Sequence, residues 1–177
     1  VNRQIKNIAL IGFMGTGKSS VGHLVAEDLG FHFVDTDQVI EERLGITITE
    51  LFARHGEAVF RQFESDVVRE LETREHWVIS TGGGLAVNPQ NLASLKTHSL
   101  VICLWATPEI ILERISGQNH RPLLQTPDPL ARIQELLEKR EPFYREADVL
   151  IQTGQRPPRD VAQQVVHQFQ SAMQAGT

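Results

Sequence analysis

A chain of 177 residues with a hydrophobic share of 41% and a charged share of 22% has the makings of a packed core, which excludes a disordered segment. Its net charge of −5 argues against nucleic acid or an anionic membrane surface as the main partner, because both favour a basic face. A single cysteine, Cys103, rules out an internal disulfide and fits a reducing, cytoplasmic setting, and no apolar run approaches the roughly 20 residues that span a bilayer.

In chain order, the apolar run at 8–11 predicts a first strand, followed by GFMGTGKS at 12–19 and a resumed helical pattern. A second strand is expected at 31–34, running into DTD. In GEAVFRQFESDVVRELE, Phe60, Phe63, Val67 and Leu71 recur at helical spacing and predict a buried stripe. A third strand at 77–80 runs into Thr81-Gly82-Gly83-Gly84, and a fourth at 100–105 holds Cys103 as a buried thiol. The segment SGQNHRPLLQTPDP, beginning at 116, has three prolines and reads as a long functional or mobile loop. A short strand at 149–151 and a packing helix at 158–173, with Val161, Val165, Val166 and Phe169 on one side, complete the chain. Strands alternating with helices predict an α/β fold: a single domain over 1–177, built as a three-layer sandwich with a five-stranded parallel sheet and helices on both faces.

The motif at 12–19 matches the phosphate-binding loop pattern G-x-x-x-x-G-K-[ST], in the strand-to-helix context that its mechanism demands. Glycines allow backbone N–H groups to surround a phosphate, the following helix adds its positive end, Lys18 reaches the β/γ phosphates, and Ser19 can ligate Mg²⁺. The D-x-x-G and N-K-x-D segments of regulatory GTPases do not occur, and the third strand leads into glycines where motor-type ATPases place a carboxylate. These features favour a small-molecule kinase.

Other candidates each admit two readings. Asp35 and Asp37 in an extended segment would project the same way beyond a strand end, one near Mg²⁺ and one on an acceptor hydroxyl; alternatively Asp37 only caps the helix beginning near residue 38. Gly82, Gly83 and Gly84 either give a flexible strand exit or let a substrate approach the backbone. Arg61, with Glu57 and Glu64 at helical spacing, also reads as a surface ion pair. Arg140 ends a helix before a proline and would complement its C-terminus. Arg121, in the long loop, can be delivered to the transferred phosphoryl group as the loop closes and excludes water.

Taken together, GFMGTGKSS, DTD, FRQFE, TGGG, RPLL and KREPFY, in this order from residue 8 to about 158, resemble the shikimate kinase family. The resemblance implies a phosphate-loop kinase fold with strand order 2-3-1-4-5, a substrate-binding helical region at about 36–71 and a mobile lid at about 116–128. It implies ATP and shikimate as substrates, with Mg²⁺, and a product of shikimate 3-phosphate on the route to aromatic amino acids. Gly15, Thr16, Gly17, Lys18, Ser19 and Ser20 would hold the phosphates, and Arg114 and Arg156 would flank the adenine, in a loop where the family often has an acidic residue at the position of Gln152. Asp37 would bind the acceptor hydroxyls and act as base, Arg61 and Arg140 would hold the carboxylate, and Gly82 to Gly84 would line the ring. Asp35 and Ser19 would lie at the metal, Arg121 would be the lid arginine, and Glu64 would orient Arg61. The rivals are a kinase for gluconate or a nucleoside monophosphate, and a nucleotide-binding protein that has lost catalysis; Lys18, Ser19, Asp37 and Arg121 are all present, which favours an active kinase. A compact kinase of this size is expected to work as a monomer.

Overall fold

The computed structural model describes residues 3–117 and 125–175. Five parallel strands, β1 (Asn7–Ile11), β2 (His32–Asp35), β3 (Trp77–Ser80), β4 (Ser99–Trp105) and β5 (Val149–Gln152), form one sheet in the order β2-β3-β1-β4-β5. This is the order that the resemblance implies. The central position of β1 follows from its composition: all five of its residues are buried, as both faces of an inner parallel strand must be.

Alternation along β1 divides the core. Ile8 and Leu10 face α1 (Lys18–Leu29) and α7 (Pro158–Ala175), where Val21, Val25, Val161 and Val165 pack. Ala9 and Ile11 face the opposite layer, with Val67 of α3 (Ile48–Leu71), Leu95 of α4 (Pro89–His98), Ile111 of α5 (Pro108–Ile115) and Ile133 of α6 (Pro129–Tyr144). Each such fully buried aliphatic side chain contributes about 1.5–3 kcal/mol. Helices α4 to α7 all begin on proline, whose fixed φ suits a first helical turn.

Three local expectations are corrected. The segment after β2 is not extended: α2 (Thr36–Leu44) begins at once, and Asp35, not Asp37, caps it by accepting the Asp37 N–H at 3.0 Å and the Gln38 N–H at 3.4 Å. Helix α6 does not end at Arg140 but continues through Pro142 to Tyr144. Helix α3 starts before the apolar stripe, from a capping box of Thr47 and Glu50, and breaks at Gly56, where φ is 81°. Along the stripe, Phe60, Val67 and Leu71 are buried as expected and Phe63 packs partly buried against the same core.

All five strands point their carboxyl ends to one edge. The phosphate loop leaves β1, Asp35 ends β2, Thr81 to Gly84 leave β3, and Thr153 follows β5. Ligands of open α/β sheets bind at this edge. Most of the expected lid, Arg121 included, lies outside the described residues.

Candidate active site

Between β1 and α1 the chain turns at residues that only glycine suits. A Cβ on Gly12 would collide with Leu104 O, and Gly17 enters α1 with φ at 95°. Thr16 Oγ1 donates to Phe13 O at 2.8 Å, and Lys18 Nζ donates to Gly12 O at 2.8 Å and Phe13 O at 2.9 Å. The loop thus holds its own lysine over a run of backbone amides at a helix N-terminus, a ready anion seat. Ser19 and Ser20 stay exposed beside it.

Ser19 Oγ donates to Asp35 Oδ2 at 2.8 Å and lies 3.3 Å from Ser80 Oγ. One carboxylate and two hydroxyls make an all-oxygen donor set, which suits Mg²⁺ bound through few protein ligands and substrate phosphates. Among the described residues no group of three or more His, Cys, Asp or Glu forms a protein-only metal cage.

Asp37, in the first turn of α2, faces the glycine run from β3. Burial, reinforced by the Asp35 charge, pushes its carboxyl up to about 6. Its Oδ1 is buried without a partner among the described residues, as is Oε1 of Glu64. Both border Gly82, where a Cβ would stand 2.6 Å from Asp37 Oδ1 and 3.0 Å from Glu64 Oε1. Gly82 N–H donates to Thr36 Oγ1 at 3.1 Å, which pins the start of the run.

Glu64 is wholly buried on α3, so the surface ion-pair reading holds for Glu57 but fails for Glu64. Arg61 Nη1 donates to Glu64 Oε2 at 2.6 Å, while Nε and Nη2 reach Glu57 Oε1 at 3.2 and 2.9 Å. Burial pushes the Glu64 carboxyl up to about 7 against the pull of Arg61. The Arg61 guanidinium lies against Gly84, where a Cβ would meet Nη2 at 2.5 Å. From α6, Arg140 Nη1 donates to Gly83 O at 3.3 Å, and its guanidinium lies 5.3 Å from the Phe13 ring centroid. Two guanidinium groups therefore flank Gly83 and Gly84, with an open carboxylate oxygen nearby.

Arg114 ties the loops together: Nη1 donates to Gly15 O at 3.1 Å and Thr153 Oγ1 at 3.0 Å, and Nη2 to Gly154 O. Arg156 donates to Gln152 O at 3.1 Å and Gln164 Oε1 at 2.7 Å. Both line a cleft of about 580 Å³ with Gly17, Ser20, Ile110 and Pro158. A second cleft of about 370 Å³ holds Lys18, Ser19, Asp35, Asp37 and Gly83, and the two share Gly17 and Ser20. The sequence-predicted residues thus gather along one edge, apart from Arg121, which is outside the described residues. Sequence reasoning missed Thr36 and Tyr144 as anchors of the glycine run; both look like core or helix residues by pattern, and only the folded backbone reveals that Thr36 accepts from Gly82 N–H and Tyr144 donates to Gly83 O.

A phosphate loop feeding two joined clefts, one lined by Asp35, Asp37 and a glycine run that two arginines flank, defines a phosphate-loop kinase of a small acceptor. A model of the family described as shikimate kinase matches residues 14–170. The chain is 45% identical over 166 residues to a shikimate kinase of Thermodesulfovibrio yellowstonii, covering 94% of this chain and 96% of that one. Against a shikimate kinase of Caldanaerobacter subterraneus the identity is 46% over 165 residues, covering 93% and 96%. Its fold matches the structure of "Shikimate kinase from Acinetobacter baumannii in complex with shikimate" with a TM-score of 0.90, at 39% identity and 96% coverage of each chain. The chain belongs to the shikimate kinase family. A gluconokinase from Sinorhizobium meliloti shares the fold at a TM-score of 0.63, with 18% identity over 98% of this chain and 97% of that one.

Proposed function

We propose that this chain transfers the γ-phosphoryl group of ATP to the 3-hydroxyl of shikimate, giving shikimate 3-phosphate and ADP in the pathway to chorismate and the aromatic amino acids. The observation that carries this reading is the pair of guanidinium groups, Arg61 and Arg140, on either side of Gly83 and Gly84, with Asp37 Oδ1 unpartnered beside them. Shikimate offers one carboxylate for the forked donors and ring hydroxyls for the acid.

Lys18 and the amides of Gly15 to Ser20 bind the phosphates. Arg114 and Arg156 border the base in the larger cleft. Asp37 accepts the proton of the attacking hydroxyl as its oxygen bonds to phosphorus and the bridging oxygen departs with ADP. Because burial holds that carboxyl near 6, it is ionised at neutral pH yet a better base than an exposed aspartate. Glu64 orients Arg61. Ser19 and Asp35 would hold Mg²⁺, which when bound neutralises charge on the β- and γ-phosphate oxygens. Residues 36–71 serve as the acceptor-binding region and 116–128 as a lid that brings Arg121 to the γ-phosphate. Use of ATP and a lone buried thiol support a cytoplasmic setting, and among the described residues no helix is long and apolar enough to cross a membrane.

The test is ADP release from Mg-ATP with shikimate, gluconate and nucleoside monophosphates in parallel. Stimulation by shikimate alone is expected. Stimulation by another acceptor would keep the kinase and overturn the acceptor.

A further inference from the structure

Three successive glycines have more backbone freedom than any other tripeptide, so something must hold Gly82 to Gly84 in one conformation if they border a substrate. Thr36 fixes the first N–H. The other anchor is Tyr144, the last residue of α6, which has no exposed surface. Its ring packs edge-on against Trp105, and its Oη donates to Gly83 O at 2.5 Å. Arg140, one turn earlier on the same helix, donates to the same oxygen. Burial pushes the phenol up to about 12, so it remains a donor at any working pH.

The peptide joining Gly83 to Gly84 is planar and trans, so its C=O and N–H point in opposite directions. A donor bound to Gly83 O therefore aims the Gly84 N–H. Among the described residues that N–H has no acceptor, and Gly84 lies directly against the Arg61 guanidinium. The Gly83 backbone is also wedged against the phosphate loop, where a Cβ would stand 3.2 Å from Met14 N. A rotated peptide would disturb both neighbours.

We propose that Tyr144 is a positioning residue for the acceptor: by fixing the Gly83–Gly84 peptide, it holds the Gly84 N–H, Arg61 and Arg140 as a single seat for the acceptor carboxylate. The inference rests on the shikimate reading above and adds a residue whose hydroxyl donates to backbone.

Tyr144→Phe keeps the ring and removes only the buried donor. Loss of one such hydrogen bond is expected to raise the KM for shikimate about three- to tenfold. The KM for ATP should stay within about twofold, and the melting temperature should stay close to that of the parent. The preference for shikimate over its uncharged carboxamide, as a ratio of kcat/KM values, should shrink by the same factor, because the seat that reads the charge has lost its aim. An unchanged KM for shikimate in a folded variant would overturn the proposal. So would an equal rise in both KM values with the preference intact, which marks general loosening. Failure of Tyr144→Phe to fold would also overturn it, since the hydroxyl would then be holding the fold. If the parent enzyme itself shows no response to shikimate, the acceptor reading fails, and that result is separate from any effect of the variant.

Discussion

At the amino edge of the sheet, Asn7, His98 and Ser99 are buried among the strand starts and hydrogen-bond to one another. Asn7 Oδ1 accepts the Trp77 N–H at 2.9 Å, and its Nδ2 donates to Arg74 O at 2.7 Å and His98 Nδ1 at 2.9 Å. Because the Trp77 N–H fixes the amide orientation, His98 Nδ1 must accept, and the ring is neutral. At the carboxyl edge the pattern is reversed. Asp37 and Glu64 each keep a buried oxygen without a partner among the described residues, and both carboxyls are pushed up. Among the described residues at the amino edge, only His98 Nε2 shares that condition. Saturated polar groups stitch strands together, whereas an unsaturated acid beside two arginines keeps the bonding capacity that a polar ligand can use.

The largest effect that would break this division is at the phosphate loop. Lys18→Ala should lower kcat by about a thousandfold or more while the fold survives, because charge stabilisation carries most of phosphoryl transfer. Appreciable residual turnover in a steady-state assay would contradict its proposed role. Next in size, Arg61→Ala should raise the KM for shikimate by about a hundredfold, as loss of a charge-assisted pair implies, and leave the KM for ATP nearly unchanged. Equal saturation in variant and parent would remove the carboxylate assignment.

Stability sharpens the comparison. Asn7→Ala should cost about 2–4 kcal/mol in chemical denaturation and leave both KM values unchanged, since it orphans buried groups far from the clefts. Asp37→Asn should do the opposite, stabilising the protein at pH 8 by on the order of 1–2 kcal/mol while turnover collapses. The sign follows from the raised carboxyl. Its contribution to stability is fully present below the unfolded value of 3.8 and is lost as pH rises through about 6, so the neutral amide escapes a penalty at pH 8. His98, held below its usual range mainly by burial, behaves in the reverse sense: its contribution is present above 6.5 and is lost on acidification. Denaturation of Asp37→Asn and its parent at pH 5 and pH 8 would show the larger gain at the higher pH.

Much of this division was legible from the residues alone. The phosphate loop declares itself by spacing, and the continuous apolar runs at β1 and β4 declare inner parallel strands. The acceptor half is less legible because its chemistry depends on which helix residues turn inward. Periodicity placed Arg61 beside a stripe without revealing that Glu64 is fully buried. The proline at 142 suggested a helix end, yet α6 continues and carries Tyr144 to Gly83. Extended spacing suggested that Asp35 and Asp37 project the same way, whereas Asp35 caps α2 and Asp37 sits inside its first turn. Caps and backbone acceptors are tertiary facts, and local pattern does not encode them.

In the proposed reaction the acceptor half presents a single hydroxyl to the phosphate loop. The most direct test is the position of the phosphate in the product, read by proton–phosphorus correlation NMR after turnover of shikimate with Mg-ATP. One ester at the 3-hydroxyl is the predicted result. A mixture of esters, or phosphate at another hydroxyl, would contradict it.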